Sequence, residues 1–295
     1  ANGVAGEGSG EDGIFFTASP LFRDAGIAFV YPGSGMNFPG MARELGAEFP
    51  RVVDRLDREN DRLAGQFGGG RFWTGRGEVD GGHSEEIFGQ VWTGTMVSDV
   101  IASFGVTPNA VIGYSLGETA GLFATRTWRS RDEMLDRILA TSLFTEDLAG
   151  PCLAAREVWK MGRDEEVDWH LGVAGAPAEG VSEVLARFDR LYLLIVNTPE
   201  ECVIGGDRVQ LAEAVRELGC AFFPLTGVTT VHCPVAEPVK EPYRDLHLFP
   251  TLPPPDVSFY SGHWGRAYEV STDSCADSIV GQALAPFDYT RLVNR

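Results

Sequence analysis

Apolar residues recur along this chain with two different periods, and their alternation predicts an α/β protein. Ile27-Ala28-Phe29-Val30-Tyr31 and Ala110-Val111-Ile112 are short apolar runs bounded by turn residues, as in strands buried on both faces. Pro50 opens a helix carrying Val52, Val53 and Leu56 on one side. From Ser84, the residues Ile87, Phe88, Val91, Trp92, Met96, Val97, Val100, Ile101 and Phe104 recur at three and four positions. That spacing predicts a longer helix with this face in the core and Gly105 as its stop. Leu116, Ala120, Leu122 and Phe123 predict a helix after the second strand, and Met134, Leu135, Ile138 and Leu139 mark another. Pro151 starts a further helix through Leu153, Arg156, Val158 and Trp159, whereas Gly65 to Gly77 reads as a flexible loop.

Beyond residue 168 the pattern tightens. Trp169–Val173, Leu191–Val196, Glu201–Ile204 and Ala221–Leu225 read as strands, with Val181, Val184, Leu185 and Phe188 forming one helix face between the first two. Val209, Leu211, Val215 and Leu218 form a second, capped by Asp207 and ended by Gly219. The order is βαββαβ, the ferredoxin-like split unit. The predicted architecture is therefore an α/β-hydrolase-like large domain (22–167 and 234–295) interrupted by a ferredoxin-like small domain (168–233). Ala1 to Asp12 is rich in Gly and Glu, and residues 1–21 read as a leader or linker. Val257-Ser258-Phe259-Tyr260 returns a strand to the large domain, and Pro286 to Val293 forms a last turn or helix.

Charge narrows the partners. With 24 Lys and Arg against 42 Asp and Glu, the net charge of -18 repels nucleic acid and anionic lipid alike. No apolar run is long enough to span a membrane. The five cysteines are odd in number, scattered and without a Cys-x-x-Cys pair. That usage fits reduced thiols in a cytoplasmic protein and gives no structural metal site.

The candidate chemistry starts at Gly113-Tyr114-Ser115-Leu116-Gly117, spaced Gly-x-Ser-x-Gly. Between a strand and a helix, this spacing makes a sharp turn that lifts the serine to the strand end. Backbone N–H groups of the following helix then point at the serine oxygen, where an anion would be stabilised. Pro32-Gly33-Ser34-Gly35 is a second loop at a strand end, either an ordinary strand-to-helix turn or a backbone cradle for a ligand. A serine hydroxyl is a poor nucleophile and needs a base. Of the five histidines, His232 lies where the chain crosses back from the small domain to the large one. Taken by themselves, Gln90 reads as a solvated or tail-bonded glutamine and Arg156 as an arginine on a wet helix face.

Four segments together carry a resemblance. Tyr31-Pro32-Gly33-Ser34-Gly35-Met36-Asn37, Gly113-Tyr114-Ser115-Leu116-Gly117-Glu118, Asn197-Thr198-Pro199 with Val203-Ile204-Gly205-Gly206, and Val231-His232-Cys233-Pro234 occur in this order. In this they resemble the malonyl-CoA:acyl carrier protein transacylases and the acyltransferase domains of fatty acid and polyketide synthases, over nearly the whole chain from Gly26. The first two segments look most like acyltransferases of iterative synthases that make enediynes or polyunsaturated fatty acids.

The resemblance implies a dyad of Ser115 as nucleophile and His232 as base, with an oxyanion hole from the backbone N–H groups of Leu116 and Ser34. It implies that a backbone carbonyl at Asp288 orients the imidazole, that Gln90 lines the acyl pocket, and that Asn197 and Val231 belong to the substrate-binding residues. Members that use malonyl groups carry a helical arginine whose fork holds the free carboxylate. The usual spacing from Ser115 falls near Ala140 and Thr141, whereas counting back from Trp169 reaches Arg156; the role passes to Arg156, with an insertion around Arg129 to Pro151. Ser34 and Asn37 stand where the family usually has glutamine, and Tyr114 where it usually has histidine.

The implied function is transfer of a malonyl group from malonyl-CoA, through an acyl-serine, to the phosphopantetheine thiol of an acyl carrier protein, with no permanently bound cofactor and no metal. Val231 and Leu116 narrow the space beside the α-carbon, which favours malonyl over methylmalonyl. An acidic carrier is repelled by the charge of -18, so either a local basic patch or tethering in one long polypeptide must offset it. Two alternatives stand beside this: a serine hydrolase or thioesterase, and a carrier-docking domain that kept the fold without turnover.

Overall fold

The computed structural model describes residues 8–9, 15–16, 25–62, 66, 73, 82–162, 164–226 and 229–294. Most of the 1–21 leader and of the Gly65–Gly77 loop lies outside them. In chain order the strands are β1 (Gly8–Ser9), β2 (Phe15–Phe16), β3 (Ala28–Tyr31), β4 (Ala110–Gly113), β5 (Trp169–Ala174), β6 (Leu191–Thr198), β7 (Glu201–Asp207), β8 (Phe222–Leu225), β9 (Ser258–Ser261), β10 (Arg266–Tyr268) and β11 (Phe287–Asp288).

The two apolar runs pair side by side. β3 and β4 run parallel, Tyr31 opposite Gly113, and β4 runs parallel to β9, with β10 returning antiparallel; the order is β10-β9-β4-β3. Burial on both faces, expected of both apolar runs, holds for β4, which has no exposed residue, whereas the edge strand β3 leaves Ala28 exposed and Val30 55% exposed. The Gly82–Ser103 helix and the Gly117–Ala124 helix supply cover, the latter buried at every position. A core of Tyr31, Val111, Phe123, Trp128, Phe249 and Phe259 fills the space beside this sheet.

The long helix is more enclosed than its apolar period predicts. Thr95, Ser98 and Asp99 are buried one or two turns along from Val91 and Trp92, on the same side of the helix, while the apolar Val97 and Phe104 are 39% and 70% exposed. The hydroxyls answer their own burial: Thr95 donates to the Val91 carbonyl at 2.9 Å and Ser98 to that of Gly94 at 2.7 Å. Asp99 is held by Arg126, whose Nη1 and Nη2 donate to its two oxygens at 2.7 and 2.6 Å, and Arg126 also reaches Glu59 at 3.0 Å. Paired burial of this kind avoids the penalty of an isolated charge.

The second sheet has the order β11-β6-β7-β5-β8. Its βαββαβ segment places the first and third strands in the middle, β5 antiparallel to both β7 and β8, with the Ala178–Leu185 and Arg208–Leu218 helices on one face. Asp207 caps the second of these helices through Val209 N and Gln210 N, and Gly219 ends it at φ 60°. Alternation sorts β7: Cys202 and Ile204 pack with the helices, and Val203 faces the other way. A register shift in β6 between Leu193 and Ile195 turns Leu194 and Ile195 to that same inner side. There they meet Tyr114 of the first loop after β4, Cys233, Val235 and Phe287, so a second core joins the two sheets. The fifth strand, β11, pairs parallel with β6 and comes from the chain's last segment, so residues 234–295 contribute to both sheets.

Candidate active site

The turn after β4 is set by its glycines. A Cβ on Gly113 would come within 2.1 Å of Glu118 N, and one on Gly117 within 2.0 Å of the Tyr31 carbonyl oxygen, so only glycine permits the chain to double back this closely. The turn holds Ser115 at φ 54° and thrusts its hydroxyl out of the strand end. His232 is also left-handed, at φ 66°. Its Nε2 lies 2.8 Å from Ser115 Oγ, across 117 residues of sequence.

The end of the Thr272–Leu284 helix fixes that imidazole. The last carbonyls of a helix have no partner within it, and two of them are used here. Ala283 accepts from His232 N at 2.7 Å, and Gln282 accepts from Nδ1 at 2.6 Å. Because a carbonyl only accepts, Nδ1 carries the proton and Nε2 presents its lone pair to the serine hydroxyl. Burial holds the imidazole down to about 4 against an ordinary 6.5, so it is a neutral, base-competent ring at neutral pH; the Gln282 bond opposes that shift. The same helix end places negative partial charge where an imidazolium would form.

Asp288, assigned by the resemblance to orient the ring, is corrected to Gln282. Its own side chain accepts from Thr290 N at 2.9 Å and caps the Tyr289–Val293 helix, while the ring lies at the helix end six residues earlier in the chain. Neither Gln282 nor its helix stands out in the apolar periods or the motifs of the sequence. The available signal is the capping box of Ser271 and Ser274 before Cys275, Ala276, Ile279, Val280 and Ala283.

Beneath the Ser115–His232 pair lies a buried carboxylate. Glu118 accepts from Ser278 Oγ, from Gly262 N at 3.3 Å and from Gln282 Nε2 at 3.2 Å, and the same amide nitrogen reaches the Ser115 carbonyl at 3.4 Å. Burial pushes Glu118 up to about 7 against the pull of those donors. Gln282 thus touches both residues of the Ser115–His232 pair, the imidazole through its backbone carbonyl and the Ser115 backbone through its side chain.

Two cavities flank Ser115. The first, of 60 Å³, is lined by Ser34, Leu116, Val231 and His232 and closed by apolar groups that include Ile87, Met134 and Phe144, with Tyr243 and His247 beside them. The second, bounded by Leu171, Ile195, Val203 and Thr229, shares Ser34, Tyr114 and Leu225 with a groove of 620 Å³ that runs out along Met36, Asn197 and Tyr289. Among the described residues, neither the Leu116 nor the Ser34 backbone N–H donates to a backbone carbonyl, and both residues line the first cavity with Ser115.

The remaining candidates are placed as follows. Val231 lines both cavities, and Asn197 lines the groove, where it accepts from the Tyr114 hydroxyl at 2.7 Å. Gln90 lines neither cavity at Ser115. Its Nε2 donates to the carbonyls of Pro32, at 2.8 Å, and Gly33, so its place is behind the Ser34 loop, which it fastens to the long helix. Arg156 also lines neither of these cavities: Nη2 donates to the Glu165 carbonyl, and Nε is buried with no acceptor among the described residues. Its helix packs through Ala155 against Cys233 and Val235, in the turn that follows His232.

A serine lifted on a strand-to-helix turn, within hydrogen-bond reach of a tautomerically fixed imidazole, is a geometry suited to nucleophile-and-base chemistry. The fold is that of acyltransferase domains. The chain aligns with the acyltransferase domain from the second module of the salinomycin polyketide synthase at a TM-score of 0.70 and 21% identity, covering 91% of this chain and 60% of that one. An acyl-carrier-protein S-malonyltransferase from Burkholderia pseudomallei gives a TM-score of 0.70 at 20% identity, over 90% and 84% of the two chains. No family model matches the chain. Among curated proteins it is 27% identical over 208 residues to a polyunsaturated fatty acid synthase polypeptide of a Thraustochytrium species, 67% of this chain and 10% of that protein. It is 32% identical over 200 residues to polyketide synthase GfsE of Streptomyces halstedii, 65% of this chain and 5% of that protein. The chain therefore spans a tenth or less of the length of these two relatives. Among the described residues no helix is long and apolar enough to cross a membrane, and all five cysteines are free thiols.

Proposed function

We propose that this chain is a cytoplasmic acyltransferase domain of an iterative polyketide or polyunsaturated fatty acid synthase, of the enediyne type by its Gly-Tyr-Ser-Leu-Gly-Glu elbow. It moves a malonyl group from CoA to an acyl carrier protein. The observation that carries this reading is the 2.8 Å contact between Ser115 Oγ and the unprotonated Nε2 of His232. In the first half, Ser115 Oγ attacks the thioester carbonyl as its proton passes to Nε2, and the oxyanion rests on the Leu116 and Ser34 amides. The C–S bond then breaks and the proton goes to the departing CoA thiolate. In the second half the carrier's phosphopantetheine thiol gives its proton to Nε2, its sulfur attacks the acyl-serine, and Ser115 recovers the proton.

Arg156 is assigned to the malonyl carboxylate by the resemblance, with a buried Nε that has no acceptor among the described residues in support; the role requires its guanidinium, which lines neither cavity at Ser115, to leave the Glu165 carbonyl. Malonyl over methylmalonyl is favoured because Val231 and Leu116 both border a cavity of only 60 Å³. Intact-mass analysis after mixing with malonyl-CoA, then with a carrier protein, tests the whole reading. The expected result is a malonyl adduct that is absent in Ser115→Ala and that passes to the carrier. Rapid release of free malonate would make the chain a hydrolase, and no adduct would make it a docking domain.

A further inference from the structure

The 620 Å³ groove has a charge pattern at odds with recognition of a whole CoA molecule. Its described lining includes no lysine, arginine or histidine, and its one acidic residue is Glu201. The nucleotide half of CoA carries several phosphate charges, and nothing in the groove attracts them, whereas Glu201 repels them. The carboxylate is held in place: Tyr114 Oη donates to Asn197 Oδ1 at 2.7 Å, and Asn197 Nδ2 donates to Glu201 Oε1 at 2.9 Å. The chain of donors ends there. Among the described residues Glu201 Oε2 receives no hydrogen bond, so the groove offers a fixed anionic acceptor along the path to Ser115. A pantetheine arm presents amide N–H donors on an otherwise apolar chain, and a carboxylate accepting such a donor makes the stronger, charge-assisted kind of bond.

We infer that Glu201 binds an amide N–H of the pantetheine arm and that the donor is recognised as an acyl-pantetheine, the nucleotide of CoA going unread. This rests on the acyl-transfer reading above. Asn197 and Tyr114 are positioning residues that orient the acceptor, and the same groove then serves the arm of CoA and of the carrier protein without distinction.

The test compares the rate at which malonyl-CoA and malonyl-pantetheine, which lacks the nucleotide, acylate Ser115, followed by intact mass over a range of donor concentrations. The two donors are expected to agree within about threefold, with no loss for either when salt is raised severalfold. Glu201→Ala is expected to raise the half-saturating concentration of both donors by about tenfold while the rate at saturation holds, and Glu201→Gln, whose amide oxygen still accepts, by less. A preference of about thirtyfold or more for the CoA ester, or an unchanged half-saturation in Glu201→Ala, overturns the inference and leaves acyl transfer standing. If neither thioester labels Ser115, the acyl-transfer reading falls, and this one with it.

Discussion

His232 Nδ1 is bonded to the backbone carbonyl of Gln282 at 2.6 Å, and no carboxylate takes that place. A carbonyl at a helix end fixes the tautomer as an aspartate would, and adds only a partial charge to the imidazolium. The orienting group therefore has no side chain to delete. Asp288→Ala should leave the saturating rate of Ser115 acylation unchanged while lowering stability by about 1 kcal/mol through the lost cap. A large fall in rate without unfolding would return the orienting role to Asp288.

The pH dependence of stability should show two opposed limbs. Burial holds His232 and His247 at about 4 when folded against 6.5 otherwise, so below pH 6.5 the unfolded chain takes up protons that the fold refuses. Their contribution is complete above 6.5 and is lost as pH falls towards 4, at about 1.4 kcal/mol per pH unit for each. Glu118 runs the other way, since it is raised to about 7 from 4.5 and its contribution is present below 4.5 and gone above 7. Together these groups put the optimum near pH 6.5, and Glu118→Gln should abolish the decline on its alkaline side. Denaturant unfolding from pH 4 to 8 checks this, and a flat profile would contradict it.

Arg156→Ala should lower malonyl transfer by about a hundredfold or more, because a carboxylate brought out of water without its fork loses a charge-assisted pair. Arg156→Lys should recover only part of that, since a lysine has no planar fork. The same variants assayed with acetyl-CoA, which has no free carboxylate, provide the control. Equal losses with both donors would place Arg156 in the packing of its helix and outside substrate recognition.

Arg126 joins Asp99 of the long helix to Glu59, and Arg131 stands 3.5 Å from the same glutamate. Arg126→Met should destabilise the protein by about 3–5 kcal/mol, because Asp99 is only 7% exposed and would be left without its partner. Asp99→Asn in that background should restore part of the loss. Chemical denaturation of the single and double variants measures both.

What could be read in the sequence was what the chain encodes locally. The elbow around Ser115 is spelled out by two glycines whose necessity is steric, and Asp207 and Gly219 mark a helix's two ends within one short segment. Apolar runs located the two parallel strands, but they overstated the burial of β3, whose edge position leaves Val30 55% exposed. Gln282 was not legible because its work is done by a backbone atom 50 residues from His232, and no side-chain pattern announces a carbonyl. Glu118 stood within a quoted motif, yet its partners Gly262, Ser278 and Gln282 lie at least 144 residues away. Gln90 shows the opposite failure. The resemblance supplied a role in the acyl pocket, and the geometry uses the amide to tie down the Pro32-Gly33 carbonyls.

The left-handed backbone at Ser115 sets thermal resilience against turnover. At φ 54° a Cβ crowds the chain at the very residue to which the proposed function gives the nucleophile's role. Relief of about 1 kcal/mol is open to a glycine there, less what glycine gives up in the unfolded state. Ser115→Gly should thus melt at or above the temperature of the parent while forming no acyl-enzyme. The turn would thus outlast the hydroxyl it was bent to present.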